Sequence, residues 1–137
     1  MIYDLSISEI KIVCQEVIDR LPDGGIIILK GNLASGKTTF CKVFAEFFDL
    51  NKDITSPTFS LQHQYGNNIF HYDLYNYGYD KFLELGMLEE LEKNGYHLVE
   101  WGDDRLVALL TKAMMPFVIV EIEKSSDKKR RYEVKSA

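Results

Sequence analysis

The sequence predicts an α/β fold built around one strand–loop–helix unit, and three observations predict it. Residues 26–29, Ile-Ile-Ile-Leu, are apolar throughout, as in a central strand buried on both faces. Residues 31–38 read G-N-L-A-S-G-K-T, two glycines separated by four residues and followed by Lys and Thr. Phe40, Val43, Phe44 and Phe47 then recur at three and four, the spacing of a buried helix face.

The glycine spacing has a chemical reading. Gly31 and Gly36 let the backbone wrap closely, so that successive N–H groups point inward at phosphate oxygens. Lys37 adds a point charge suited to β- and γ-phosphates, and the Thr38 hydroxyl suits Mg²⁺. A helix starting here adds its positive dipole end. A glycine-rich turn without a ligand is the bland alternative, and the strand before and helix after argue against it.

Composition narrows the classes. The chain has 137 residues, the size of one domain with a real core, so residues 1–137 are read as a single domain. No run approaches membrane-spanning length and the N-terminus lacks a signal pattern, so the expected compartment is the cytoplasm. Cys14 and Cys41 are isolated, without metal-ligand spacing, and read as small apolar packing residues. The net charge is −5 but uneven. Between positions 124 and 135 six cations face two anions, which leaves the remainder strongly acidic. A free nucleic-acid binder would usually be more basic.

The elements follow in order. Ser6 and Glu9 have capping-box spacing, so a helix is expected from Ser6, with Ile10, Val13, Cys14, Val17, Ile18 and Leu21 inward. Pro22-Asp23-Gly24-Gly25 ends it, and strand 26–30, the glycine loop and a helix to Phe48 come next. Pro57 forbids a helix at 55–59. Its hydroxyls, Thr55, Ser56 and Thr58, read either as a switch segment sensing a γ-phosphate or as a polar connection capping nearby backbone. Residues 59–65 and 69–75 form a hairpin around Gly66-Asn67-Asn68. Its second strand puts His71 and Asp73 on one face; His71 reads first as a surface or structural histidine, while Asp is disfavoured within strands.

A helix over 79–94 carries Phe82, Leu85, Leu88 and Leu91 inward and is bent or split at Gly86. Residues 96–101 form a short strand ending in Glu100 and Trp101. An acid at that place in a phosphate-loop enzyme orients Mg²⁺ or water. Asp103-Asp104 caps a helix, and strands follow at 117–122 and 130–134. The basic cluster at 128–131 reads either as a solvated hairpin tip or as a contact to a nucleotide edge or tRNA backbone.

The ordered blocks G-N-L-A-S-G-K-T-T-F, S-P-T-F, H-Y-D-L-Y, E-L-G and V-E-W resemble the TsaE family, formerly YjeE. The resemblance implies a single-domain P-loop NTPase with a mixed central β-sheet flanked by helices. It implies binding of ATP and Mg²⁺, slow hydrolysis to ADP, and docking on the TsaB–TsaD pair in tRNA threonylcarbamoyladenosine synthesis, with tRNA met indirectly or weakly.

On that resemblance Asn32, Leu33, Ala34, Ser35, Gly36, Lys37, Thr38 and Thr39 follow Gly31 as the phosphate cradle. Thr38 and Glu100 are the Mg²⁺ positions, and Ser56 and Thr58 report on the γ-phosphate. Asp73 helps to place Mg²⁺ or the attacking water, and Trp101 faces the partner. The chain departs from the family pattern at Asn32, Ala34, Ser35 and Asn76. Two other classes compete: a small-molecule kinase and a non-catalytic nucleotide-dependent regulator. The lack of any arginine between Arg20 and Arg105 argues against a kinase lid.

Overall fold

The computed structural model describes residues 1–32, 35–48, 61–66 and 68–136. Seven strands form one mixed sheet in the order β1-β7-β6-β2-β5-β4-β3. They are β1 (Ile2–Ser6), β2 (Gly25–Lys30), β3 (Gln62–Tyr65), β4 (Ile69–Asp73), β5 (Tyr96–Glu100), β6 (Phe117–Lys124) and β7 (Lys129–Ser136). β6, β2, β5 and β4 run parallel; β3 joins β4, and β7 joins β6 and β1, antiparallel. The apolar run of β2 sits at the centre, with Ile26, Ile27, Ile28 and Leu29 all buried.

Helices cover both faces. On one, Ile27 and Leu29 of β2 and Leu98 of β5 pack under α1 (Lys11–Arg20) and α2 (Lys37–Phe47). α2 contributes Phe40, Cys41, Phe44 and Ala45, all fully buried, so two adjacent stripes of this helix meet the sheet. Each large apolar side chain buried this way contributes on the order of 1.5–3 kcal/mol. On the other face, Ile26, Ile28, Phe70, Tyr72 and Val99 pack with Phe82, Met87, Leu91, Leu106 and Leu110. Those come from α3 (Gly78–Glu84), α4 (Met87–Leu91) and α5 (Asp104–Lys112).

Several expectations are corrected in detail. The segment before the first helix is an edge strand, β1, of which only Leu5 is buried. The Ser6–Glu9 capping contact exists, with the Ser6 amide donating to Glu9 Oε1 at 3.0 Å, but it opens a 3-10 turn, Ile7–Glu9. α1 begins only at Lys11. The split expected at Gly86 within 79–94 is present, since its φ of 75° is one an L side chain resists; the end differs, α4 stopping at Leu91. β6 and β7 run longer than expected because each continues the other's antiparallel ladder to Lys124 and Ser136. The N-cap at Asp103 holds: its carboxylate accepts from the amides of Arg105 and Leu106. The segment 55–59, with Ser56 and Thr58, lies outside the described residues, as do Leu33 and Ala34.

Candidate active site

The carboxyl ends of β2, β4 and β5 lie side by side, and the chemistry collects there. This is where ligands bind in open α/β sheets. β2 leads into the glycine loop and α2, while register pairs Leu29 with Glu100 and Asp73 with Glu100. His71, Asp73, Leu98 and Glu100 therefore share the sheet face that α2 covers.

Gly31 is needed for close approach. A Cβ there would lie 2.5 Å from the Ile122 carbonyl oxygen and 2.5 Å from Ser35 Oγ. Gly36 precedes α2 with φ of 104°, in the left-handed region. The Ser35 hydroxyl is buried and has no hydrogen-bond partner among the described residues. A buried hydroxyl without a partner calls for one, and an anion held in the loop is a group that could supply it. Leu33 and Ala34, the middle of the cradle, are outside the described residues.

Lys37 is only 3% exposed. Its ammonium donates to the carbonyl oxygens of Gly31 at 2.7 Å and Asn32 at 2.9 Å. It also sits 4.0 Å from the centre of the Trp101 ring, a cation–π contact. Burial lowers its pKa, against the opposing pull of the Glu100 and Asp73 charges. Trp101 reaches this position by a φ of 65°, unusual for a bulky residue, and its ring meets that of exposed Tyr75 at a tilt of 54°, with centroids 5.0 Å apart.

Thr38, exposed in the first turn of α2, donates its hydroxyl to Glu100, with Oε1 at 3.1 Å and Oε2 at 3.2 Å. Glu100 is buried and also accepts from His71 Nε2 at 2.5 Å. A hydroxyl and a carboxylate side by side are oxygen donors of the kind that suit Mg²⁺. Asp73 is exposed at the end of β4, where it accepts from the Tyr75 amide at 3.0 Å. Cys41, one turn after Thr38, is fully buried, and burial pushes its thiol pKa well up, with the Glu100 and Asp73 charges adding to the effect.

The geometry brings Lys37, Thr38 and Glu100 together and sets Asp73 at the neighbouring strand end. Thr39 lines a cleft of about 380 Å³ beside the loop, with Ser6, Ile7, Ile10, Lys128 and Tyr132. Two residues that sequence reasoning undervalued also belong here. His71 is buried rather than at the surface, and it contacts Glu100 directly. Its shared strand face with Asp73 was the available signal. Arg130 leaves the hairpin tip and donates from Nε to the Ser35 carbonyl at 3.1 Å, tying β7 to the glycine loop. The basic run at 128–131 marked the region but not which cation turns inward.

Comparison with known proteins adds the family. The model of the family described as threonylcarbamoyl adenosine biosynthesis protein TsaE matches residues 6–132. The tRNA threonylcarbamoyladenosine biosynthesis protein TsaE of Rickettsia felis is 35% identical over 128 residues, covering 90% of this chain and 72% of that protein. Its Bacillus subtilis counterpart is 37% identical over 98 residues, which span 69% of this chain and 61% of the relative's length. The crystal structure of Bacillus subtilis YdiB superposes with a TM-score of 0.67 at 25% identity, covering 99% of this chain and 84% of that one.

Proposed function

Because the chain belongs to the TsaE family of threonylcarbamoyl adenosine biosynthesis proteins, we propose that it binds ATP with Mg²⁺ and hydrolyses it slowly, acting on a TsaB–TsaD pair during tRNA modification. The observation that carries this reading is the Thr38–Glu100 contact beside buried Lys37. It joins a hydroxyl, a carboxylate and an ammonium at the mouth of a glycine loop.

In this reading the loop amides and the dipole of α2 hold the phosphates. Lys37 exchanges its bonds to the Gly31 and Asn32 carbonyls for bonds to β- and γ-phosphate oxygens. The Trp101 ring stays against its ammonium and keeps water away from it. Ser35 Oγ gains the partner it lacks. Thr38 and Glu100 would hold Mg²⁺, with Asp73 next to them; the cation supplies neutralisation of charge on the β- and γ-phosphates. Asp73, in register with Glu100 and open to solvent, orients the attacking water. The nucleoside lies in the cleft between the Ser6–Ile10 turn and the β6–β7 hairpin. The adjoining Tyr75 and Trp101 rings face the partner, so partner docking and the Lys37 environment share one side chain.

The test follows the γ-phosphate of Mg²⁺-ATP, with the protein alone and then with TsaB–TsaD, and with no small-molecule acceptor. Slow phosphate release that rises with the partners is the expected result. ATP binding without release under either condition makes the protein a nucleotide-dependent regulator. Label transferred to an added metabolite makes it a kinase.

A further inference from the structure

Cys41 is a packing residue of the α2 face, and its thiol also borders the candidate site. It lies three residues after Thr38 on α2, so it stands one turn deeper on the same helix face. That face meets β4 and β5 where His71 and Glu100 emerge. The Cys41 Sγ, a His71 ring nitrogen and a Glu100 carboxylate oxygen all lie within 4.8 Å of one another, and all three residues are buried. Residues from a helix and two strands thus aim a thiol, an imidazole and a carboxylate at one point.

We propose that Cys41, His71 and Glu100 form a site for a thiophilic divalent cation, Zn²⁺ in the first instance, distinct from the all-oxygen Mg²⁺ position but sharing Glu100 with it.

The donor chemistry favours this class of ion. One thiolate, one imidazole and one carboxylate are three protein ligands of tetrahedral Zn²⁺, with the fourth position left to water. Thiolate selects such an ion over Mg²⁺, which takes oxygen ligands. Bond lengths of about 2.0–2.3 Å put tetrahedral donors roughly 3.5 Å apart. The observed spread of up to 4.8 Å exceeds this, so binding requires the His71 and Glu100 side chains to turn inward toward Cys41.

Charge also balances. The thiol S–H bond breaks as the S–Zn bond forms, and its proton leaves to buffer. Thiolate and carboxylate then cancel the 2+ charge, so the buried complex is neutral and its desolvation cost is small. His71 gives up its N–H contact to Glu100 and presents a bare Nε2, its proton moving to Nδ1.

One consequence rests on the ATPase reading above. Glu100 drawn toward Cys41 leaves Thr38, so Zn²⁺ opposes Mg²⁺-dependent turnover. The site itself does not depend on that reading.

The experiment uses the full chain without nucleotide. Co²⁺ is titrated as a spectroscopic probe, and Zn²⁺ affinity is measured by competition with a chromophoric chelator. The wild type should take up one ion, with a thiolate-to-cobalt charge-transfer band in the near ultraviolet. Cys41→Ala should lose that band and bind Zn²⁺ more than about tenfold more weakly. His71→Gln, a second variant should the first fail to fold, should keep the band but weaken binding. Mg²⁺-ATP turnover by Cys41→Ala should persist and resist Zn²⁺. A cobalt adduct without the thiolate band, or equal Zn²⁺ affinity in folded Cys41→Ala, overturns the site. A site confirmed in a chain that never releases phosphate leaves the metal proposal standing and removes the ATPase reading.

Discussion

His71 and His97 sit on opposite faces of one sheet, both buried, and they differ in what they bond to. His97 Nε2–H donates to the Lys93 carbonyl at 2.8 Å, so its Nδ1 accepts from the Tyr72 hydroxyl, also at 2.8 Å. Gln62 approaches the same Tyr72 oxygen at 3.4 Å and donates to Glu90 at 3.0 Å. The His97 ring stacks on Phe70 at 4.6 Å. Here both ring nitrogens are satisfied by neutral protein groups, and burial lowers the His97 pKa. His71 instead contacts a carboxylate that also receives Thr38, at the mouth of a glycine loop. Two histidines of similar burial therefore belong to different kinds of site. One closes a core; the other borders groups that still have bonds to offer a ligand.

From that contrast, substitutions at the α2-face site should change ligand chemistry and substitutions around His97 should change stability. The largest effect is expected from Lys37→Ala. On the proposed reading it removes the charge-assisted bonds to phosphate and should weaken ATP binding by about 100-fold or more. Unchanged affinity by calorimetry would take the phosphate site away from this loop. Next, Glu100→Ala should lower turnover by about 100-fold while ATP affinity moves far less, and Asp73→Ala should act in the same direction. Phosphate-release kinetics beside binding isotherms separate the two quantities. Full loss of binding in both variants contradicts the division of labour between Lys37 and the carboxylates.

On the opposite face, His97→Phe keeps the ring stack but removes the donor to the Lys93 carbonyl and the acceptor of the Tyr72 hydroxyl proton. A loss of about 1–3 kcal/mol by urea unfolding is expected, with Mg²⁺-ATP affinity unchanged. A large affinity change there would erase the contrast between the faces.

The smallest effect is a pH slope. The folded pKa of His97 lies below its ordinary value of about 6.5, so below that pH the unfolded chain binds the extra proton first. The His97 contribution is fully present above about pH 6.5 and is lost as pH falls from there through the folded value. The unfolding midpoint of the wild type should drop over that range by more than that of His97→Phe, and parallel curves would remove His97 as the cause.

Much of this was written locally in the chain. The apolar run of β2, the glycine spacing and the Phe40 stripe each lie within one helix or strand, so their periodicity is visible without the fold. The Asp103 cap is equally local, since its amide donors are two and three residues away. Gly86 announced a break that the two short helices then realised. β1 escaped because an edge strand needs little burial: Ile2 is exposed, only Leu5 is buried, and the Ser6–Glu9 signal beside it pointed to a helix. Arg130 escaped because a run of cations has no periodicity that says which one turns inward.

The sequence by itself thus determined the strand–loop–helix unit and the kind of element on either side, and it singled out Lys37 and Thr38 as the candidate chemical groups. Tertiary structure decided which distant residues meet them. Thr38 and Glu100 are 62 positions apart, and His71 and Glu100 are 29 apart. Their meeting depends on β5 and β4 lying in sequence beside β2, in the register that aligns Leu29, Glu100 and Asp73. The same order drops Cys41 onto His71. Helix and strand periodicity is set by bonds between near neighbours, whereas strand order is set by the packing of the whole core, and no short stretch of sequence carries it.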